Sequence, residues 1–254
     1  MTITAPAGLA SRRCYLRESD HRYVWTPTGE EMATSVTGVR DFFKDPNRYQ
    51  QFALKYEEGS YTRWWLDSCS EIGTHVHRWM YYKATGKCPP DVDELGVLSP
   101  EGHDCTDWIH QLCNGMVNKE RDITMQHFWN EIEVLGAEYT MVNLRKSLGG
   151  QADLIYRLPS KGGKTILFDL KNKSKNWKKA SEDDLLSYSQ QAGGYLELLS
   201  SGADSHSPPW IHQCRTLIVT PTRVQWLSSM EPDACSLDWE ECWGAYAAAM
   251  KNTF

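Results

Sequence analysis

The chain has 254 residues, with 27 lysines and arginines against 33 aspartates and glutamates, a formal charge of −6. That length suits one large α/β domain, and 41% hydrophobic with 24% charged residues excludes a disordered chain. The acidic balance excludes a protein coated in basic patches, yet a local basic stripe on an acidic chain still binds nucleic acid.

Taken in chain order, "CYLRESDHRYVW" predicts a β-hairpin around "ESDH". "SVTGVRDFFKDPNRYQQFALKYEEG" predicts helix with a break near Pro46. "YTRWWLDSCSEIGTHVHRWMYYKATG" gives a stronger helical pattern that Gly86 stops. Residues 87–105 are rich in Pro, Gly and Asp and predict a loop; "CTDWIHQLCNGMVNKERDI" through Trp129 predicts helix again. From residue 131 the texture turns to short β-rich runs: "EIEVLGAEYTMVN", "GQADLIYRL", "KTILFDLK", "TLIVTP" and "RVQWLS". Between the third and fourth lies an amphipathic helix, with a capping box from Ser181 to Asp184 and a Gly202 stop. "LDWEECWGAYAAAMKN" closes the chain as a helix. The expected organisation is a single domain over 1–254. It has a mainly helical part over 1–130, a β-sheet core over 131–230 and a C-terminal helix over 231–254.

The run "FDLKNK" places an acid and a base two residues apart. Successive strand side chains turn to opposite faces, so Asp169 and Lys171 share one face while Ile166, Phe168 and Leu170 share the other. "GGQADLIYRL" puts Asp153 at a strand start, and the turn "PSKGGK" makes its strand a hairpin neighbour of the Asp169 strand. Two carboxylates with a lysine beside them suit metal-assisted phosphodiester cleavage, because hard oxygen ligands hold Mg²⁺ or Mn²⁺. Each feature also has a plainer reading: Asp-x-Lys as a surface ion pair, Asp153 as a turn-former, Gln191 and Tyr195 as the polar flank of a helix. Gly193 and Gly194 inside that helix predict close packing, since each costs about 1 kcal/mol against Ala.

In order, Gly73-Thr74-His75-Val76-His77, Gly150-x-x-Asp153, Asp169-Leu170-Lys171 and Gln191-x-x-x-Tyr195 resemble the PD-(D/E)XK nuclease superfamily. More narrowly they resemble its RecB-like branch, which includes CRISPR-adaptation nucleases, nuclease domains of recombination helicases and mitochondrial genome-maintenance exonucleases. The match runs over about residues 70–200. The resemblance implies a restriction-endonuclease-like α+β core, with a central mixed sheet flanked by helices. It implies that the helical N-terminal half forms a groove wall or arch. It implies a metal held by His77, Asp153, Asp169, the Leu170 carbonyl and, on the preceding strand "AEYTMV", Glu138; Glu131 and Glu133 compete for that last place. Lys171 would be the catalytic lysine, with Gln191 and Tyr195 positioning DNA or the lysine. On an ideal helix Gly73, His77, Met80 and Ala84 share one side, and Gly73 would admit a neighbouring backbone; His75 fits a buried structural histidine better than His77 does.

The stripe "KNKSKNWKK" offers Lys173, Lys175, Lys178 and Lys179 to phosphates and Trp177 to a base. Arg63 and Trp64 in "RWW" offer a second stacking platform, with buried packing expected for at least one tryptophan of that pair.

Many RecB-like relatives hold an iron–sulfur cluster on clustered C-terminal cysteines; Cys214, Cys235 and Cys242 are too scattered, so no cluster is expected. Cys88, His103, Cys105, His110 and Cys113 lack zinc-finger spacing; they are read as unrelated buried thiols, with a zinc site on the helical face shared by His110 and Cys113 as the alternative.

The expected function is a Mg²⁺- or Mn²⁺-dependent DNA exonuclease in replication, recombination or repair. The alternatives are a structure-specific endonuclease and a catalytically silent DNA-binding or inhibitory protein. Expected partners are DNA and, in trans, a helicase, recombinase or single-strand-binding protein. Eight cysteines without a CxxC pair, and a start "MTITAPAGLASRRC" without a secretory apolar run, predict a reduced cytosol, bacterial or phage-infected, with an organellar matrix as the other setting. No segment has the apolar length of a membrane span.

Overall fold

The architecture comes from a computed structural model that describes residues 13–17, 19–45, 47–89, 92, 94–201 and 210–252. Pro46, Gly202 and the Glu18 of the predicted hairpin turn lie outside the described residues.

The N-terminal hairpin forms as the alternation predicts. β1 (Cys14–Arg17) pairs antiparallel with β2 (Arg22–Trp25), and β3 (Glu30–Glu31) extends it to three strands. Two-residue β4 (Thr34–Ser35) then leads directly into α1 (Val36–Asp41), whose Gly38 N–H is capped by the Ser35 side chain. α2 (Arg48–Ala53) follows. The long helix α3 (Tyr61–Thr85) starts on the Ser60 cap and ends at Gly86, in the left-handed conformation that Gly adopts without steric cost. Its Ile72, Val76, Met80 and Ala84 repeat at helical spacing and are buried.

The predicted helix from Cys105 to Trp129 is instead three elements. α4 (Thr106–Asn114) stops at Gly115, the small hairpin β5 (Met116–Asn118) and β6 (Ile123–Thr124) intervenes, and α5 (Met125–Glu131) resumes. Turn chemistry overrides the helical pattern: the Asn118 side chain accepts the Arg121 N–H, and Asp122 sits at φ 51°.

The central sheet has six strands. β7 (Glu133–Asn143) and β8 (Leu148–Leu158) pair antiparallel along their length, and β8 pairs with β9 (Lys164–Asn172) only from Leu154 to Leu158. Farther along the same edge, β4 pairs parallel with Leu148 and Gly149. Residues 150–153 of β8 are therefore left between β9 and β4, and Asp153 stands in mid-strand rather than at a strand start. α6 (Glu182–Ser201) crosses from β9 to the parallel strand β10 (Gln213–Val219), and β11 (Val224–Trp226) closes the edge. The Ser181–Asp184 capping box forms as predicted, with each side chain accepting the other residue's N–H. α7 (Pro232–Lys251) falls within the C-terminal helix expected over 231–254, with Pro232 at its first position.

Two cores sandwich this mixed sheet. Ile166, Phe168 and Leu170 of β9 face α3 and α4, while Leu167 faces the opposite core with Ala192, Tyr195 and Leu198 of α6 and Trp239 of α7. Asp169 and Lys171 thus share the α6 face. Gly193 and Gly194 explain how closely the layers fit: a Cβ on Gly193 would lie 2.0 Å from the Cys235 carbonyl oxygen of α7, and one on Gly194 2.6 Å from Val36 of α1. Gly73 differs from expectation. Its nearest neighbour would be the Asn172 side chain at 4.0 Å, so no neighbouring backbone crosses there.

Candidate metal and hydrolytic site

Where β8 and β9 part, a side chain takes over from the ladder. The last paired residues are Leu154 and Phe168. One residue beyond on β8 and two beyond on β9, the Leu170 N–H donates to Asp153 Oδ2 at 2.6 Å. Asp153 and Asp169 are only 7% and 8% exposed, a costly burial for carboxylates unless something neutralises or bonds them.

Two groups close on Asp153 from other elements. His77 of α3 places Nδ1 3.6 Å from Asp153 Oδ1 and 3.5 Å from Glu138 Oε1. One ligand atom from each of His77, Glu138 and Asp153 lies within 4.8 Å of the others. Glu138 sits on β7 between the pairs Ala137–Leu154 and Tyr139–Ala152, which sets it opposite Asp153. Its φ is 46°, left-handed backbone inside a strand. Such a residue costs on the order of 1–3 kcal/mol, and such strain clusters at functional sites. The rivals for its place lie elsewhere: Glu133 pairs with Arg157 at 3.1 Å, and Glu131 accepts from Ser160.

A second array continues from Asp169. Lys171 Nζ donates to Asp169 Oδ1 at 2.8 Å and to Gln191 Oε1 at 3.0 Å. Gln191 Nε2 donates to Asp169 Oδ1 at 3.1 Å and to the Tyr195 hydroxyl at 2.8 Å. Gln191 and Tyr195, one helical turn apart on α6, therefore hold the acid and the lysine together. Arg40 of α1 also donates to Gln191 Oε1, while its other nitrogens grip Asp41 at 2.9 and 2.8 Å. Sequence reading missed Arg40, because nothing in "GVRDFF" signals a partner 151 residues away.

The electrostatics follow from burial. Asp153 is pushed up to about 7 by burial first, and then by the charges of Asp169 and Glu138, against the pull of His77 and Lys171. Burial works against protonation of His77, but Asp153 and Glu138 outweigh it and raise it to about 9. Burial, then Asp153 and Asp169, hold Tyr195 well above the usual phenol range. Glu138 Oε1 and Asp169 Oδ2 are buried with no hydrogen-bond partner. His77, Glu138 and Asp153 are the donor set that fits a hard divalent cation; Asp169, whose Oδ1 accepts from Lys171 and Gln191, stands outside that grouping. Leu170 is seen here as an N–H donor; a role for its carbonyl belongs to the proposal below.

The remaining predicted residues divide. His75 is buried and bonds Gly96 O at 2.8 Å, as expected of a structural histidine. Lys173 Nζ lies 3.5 Å from Asp184, and Lys175 Nζ lies over the Tyr61 ring at 3.9 Å. Trp177 is half-buried under the Arg223 guanidinium, and Arg223 also bonds the Trp177 and Lys178 carbonyls. That ring face is therefore occupied. Lys178 and Lys179 are exposed. Arg63 pairs with Asp67 at 2.9 Å, and of the tryptophan pair Trp65 stacks on Trp108 while Trp64 stays 36% exposed. Cys105 and Cys113 are buried as expected, but Cys88 is exposed; among the described residues these cysteines and His110 join no metal-competent group, and His103 groups with Glu71 and Glu101.

The class this site defines is a mixed α+β protein with two buried aspartates and a half-buried histidine, glutamate and lysine at a parting of sheet strands. No family model matches the chain, and no curated protein matches it. Among solved structures it is similar to one titled "Crystal structure of SSO0001", at 14% identity and a TM-score of 0.36, covering 85% of this chain and 77% of that one. No helix among the described residues is long and apolar enough to cross a membrane.

Proposed function

We propose that this protein is a Mg²⁺- or Mn²⁺-dependent deoxyribonuclease that degrades DNA from its ends, on a restriction-endonuclease-like core of the RecB-like type. The observation that carries the reading is the convergence of His77, Glu138 and Asp153, from three separate elements, beside the hydrogen-bonded set Asp169, Lys171, Gln191 and Tyr195. The element order supports the fold assignment: helix α3, the antiparallel run β7–β8–β9, crossover helix α6 and parallel strand β10.

Asp153, Asp169, Glu138, His77 and the Leu170 carbonyl would hold the cation. A divalent ion bound there supplies Lewis acidity and a water of lowered pKa. To hold a cation both Asp153 and His77 would have to be deprotonated, and both are shifted up, to about 7 and about 9. Lys171 faces the scissile phosphate from the same strand face as Asp169, orienting the attacking water or offsetting charge on phosphorus. Gln191 fixes Lys171 and Asp169 relative to each other, and Tyr195 and Arg40 fix Gln191. A merely ion-paired surface strand needs none of this support.

The test is a time course on end-labelled linear DNA with Mn²⁺, with chelator, and with covalently closed circular DNA. Cleavage of linear DNA that stops with chelator and spares circles is expected. Cleavage of circles would make the protein an endonuclease, and undiminished cleavage by Asp169→Ala and Lys171→Ala would remove this site from the chemistry.

A further inference from the structure

A separate pocket opens between the start of α3, the start of α4 and the stretch that follows β9. It measures about 400 Å³ and is lined by Tyr61, Trp64, Asp107, Trp108, Lys175 and Pro221. Trp108 makes a rigid floor: it is 4% exposed, donates Nε1–H to the Lys173 carbonyl at 3.0 Å, and stacks on Trp65 with ring centroids 5.5 Å apart and planes 12° from parallel. Trp64 makes a wall. It is 36% exposed, and its ring lies 5.5 Å from that of Tyr61. The Tyr61 hydroxyl accepts the Lys175 N–H at 3.1 Å, and the Lys175 ammonium lies over the Tyr61 ring. One cation therefore stands at an aromatic cleft, tied by backbone to the strand that carries Lys171.

We propose that this pocket is a subsite for one unpaired base of a DNA strand, with Lys175 meeting the adjoining phosphate. The inference rests on the nuclease reading and names its substrate as DNA with a single-stranded segment. The Trp64 ring, 36% exposed, can take any base face by stacking, while Trp108 is 4% exposed and the Tyr61 face carries the Lys175 ammonium. Asp107 selects base over backbone, because a carboxylate repels phosphate and accepts from an exocyclic amine such as that of cytosine. A paired base in a duplex presents no free face to the Trp64 ring.

The spacing suits a strand running between pocket and site. Trp64 and His77 are 13 residues apart on α3, about 20 Å along its axis. Lys171 and Lys175 are separated by at most about 14 Å of extended chain. At about 3.4 Å per stacked nucleotide, that is roughly four to six nucleotides.

The experiment measures fluorescence anisotropy of a dye-labelled ten-nucleotide oligodeoxycytidylate in chelator, where no cleavage occurs. Trp64→Ala is expected to weaken binding roughly 5- to 100-fold, Trp64→Phe to restore most of it, and Lys175→Ala to flatten the salt dependence. With Mn²⁺, Trp64→Ala should raise KM on that strand, leave kcat unchanged, and lose its effect on strands shorter than about four nucleotides. Circular dichroism melts confirm that each variant is folded. Unchanged binding by Trp64→Ala overturns the pocket and leaves the nuclease reading standing. Loss of binding by Trp64→Ala in a protein that cleaves nothing keeps the pocket and overturns the nuclease reading. Tighter binding of an RNA homopolymer of the same length overturns the assignment to DNA.

Discussion

Helix α3 carries two acid–histidine groupings less than two turns apart, His77 with Glu138 and Asp153, and Glu71 with Glu101 and His103. By residue type they are nearly interchangeable. Their construction differs. In the first, the acids come from two paired strands of the central sheet, Asp153 is 7% exposed, and strained backbone aims Glu138 inward. In the second, Glu101 and His103 lie on a loop, the Glu101 side chain is 74% exposed, and one Glu71 oxygen is already bonded to the Glu101 N–H. A site that must concentrate charge for chemistry needs rigid support and exclusion of water. The first grouping has the rigid support of paired strands around a buried Asp153, and the charges of Asp169 and Lys171 act on that carboxylate.

The largest effect should separate the two at once. Asp153→Asn, Asp169→Asn or Lys171→Ala should each cost at least ~10²-fold in kcat for DNA hydrolysis. Glu101→Ala and His103→Ala should stay within about twofold, since surface changes of this kind rarely matter. Initial rates on one labelled substrate check all five.

Gln191→Ala comes next. It touches no proposed ligand role, yet it should cost roughly 10- to 100-fold in Mn²⁺ affinity or rate through loss of its hold on Asp169 and Lys171. Isothermal titration beside rate measurement tells which.

The pH dependence sharpens the contrast further. His77 in the folded protein lies at about 9, above its ordinary 6.5, so the stability it adds is full below 6.5 and lost as pH climbs through 9. Asp153 lies at about 7, above its ordinary 3.8, so ionising it costs the folded state as pH rises from 3.8 through 7. Both signs agree. In chelator, Tm should fall from pH 6 to 9, and the rise in Tm that Mn²⁺ gives should grow over that interval, because fewer protons compete for the ligands. A Tm gain from Mn²⁺ that is flat across this range would contradict the account.

The smallest effect concerns the frame behind the first grouping. Gly193→Ala should destabilise by about 1–3 kcal/mol, because its Cβ would meet the Cys235 carbonyl at 2.0 Å. Gly73→Ala should be neutral or stabilise by up to about 1 kcal/mol, with only Asn172 at 4.0 Å. Paired thermal melts decide it.

Much of this arrangement was legible in the sequence wherever chemistry is local. Strand alternation put Asp169 and Lys171 on one face, the Ser181–Asp184 box marked the start of α6, and Gly193 and Gly194 announced close packing. What stayed hidden depends on long-range contact. Arg40 reaches Gln191 across the fold, and no local pattern encodes that. The hairpin at Met116–Thr124 was masked by helical periodicity, because turn chemistry at Asn118 and Asp122 competes with it. Trp177 looked like an open ring until Arg223, 46 residues on, covered it.

The most direct measurement is anomalous diffraction from crystals soaked in Mn²⁺. The account predicts a peak bounded by Asp153, Glu138, His77 and Asp169. A peak seated only among Glu71, Glu101 and His103, with none beside Asp153, would contradict it.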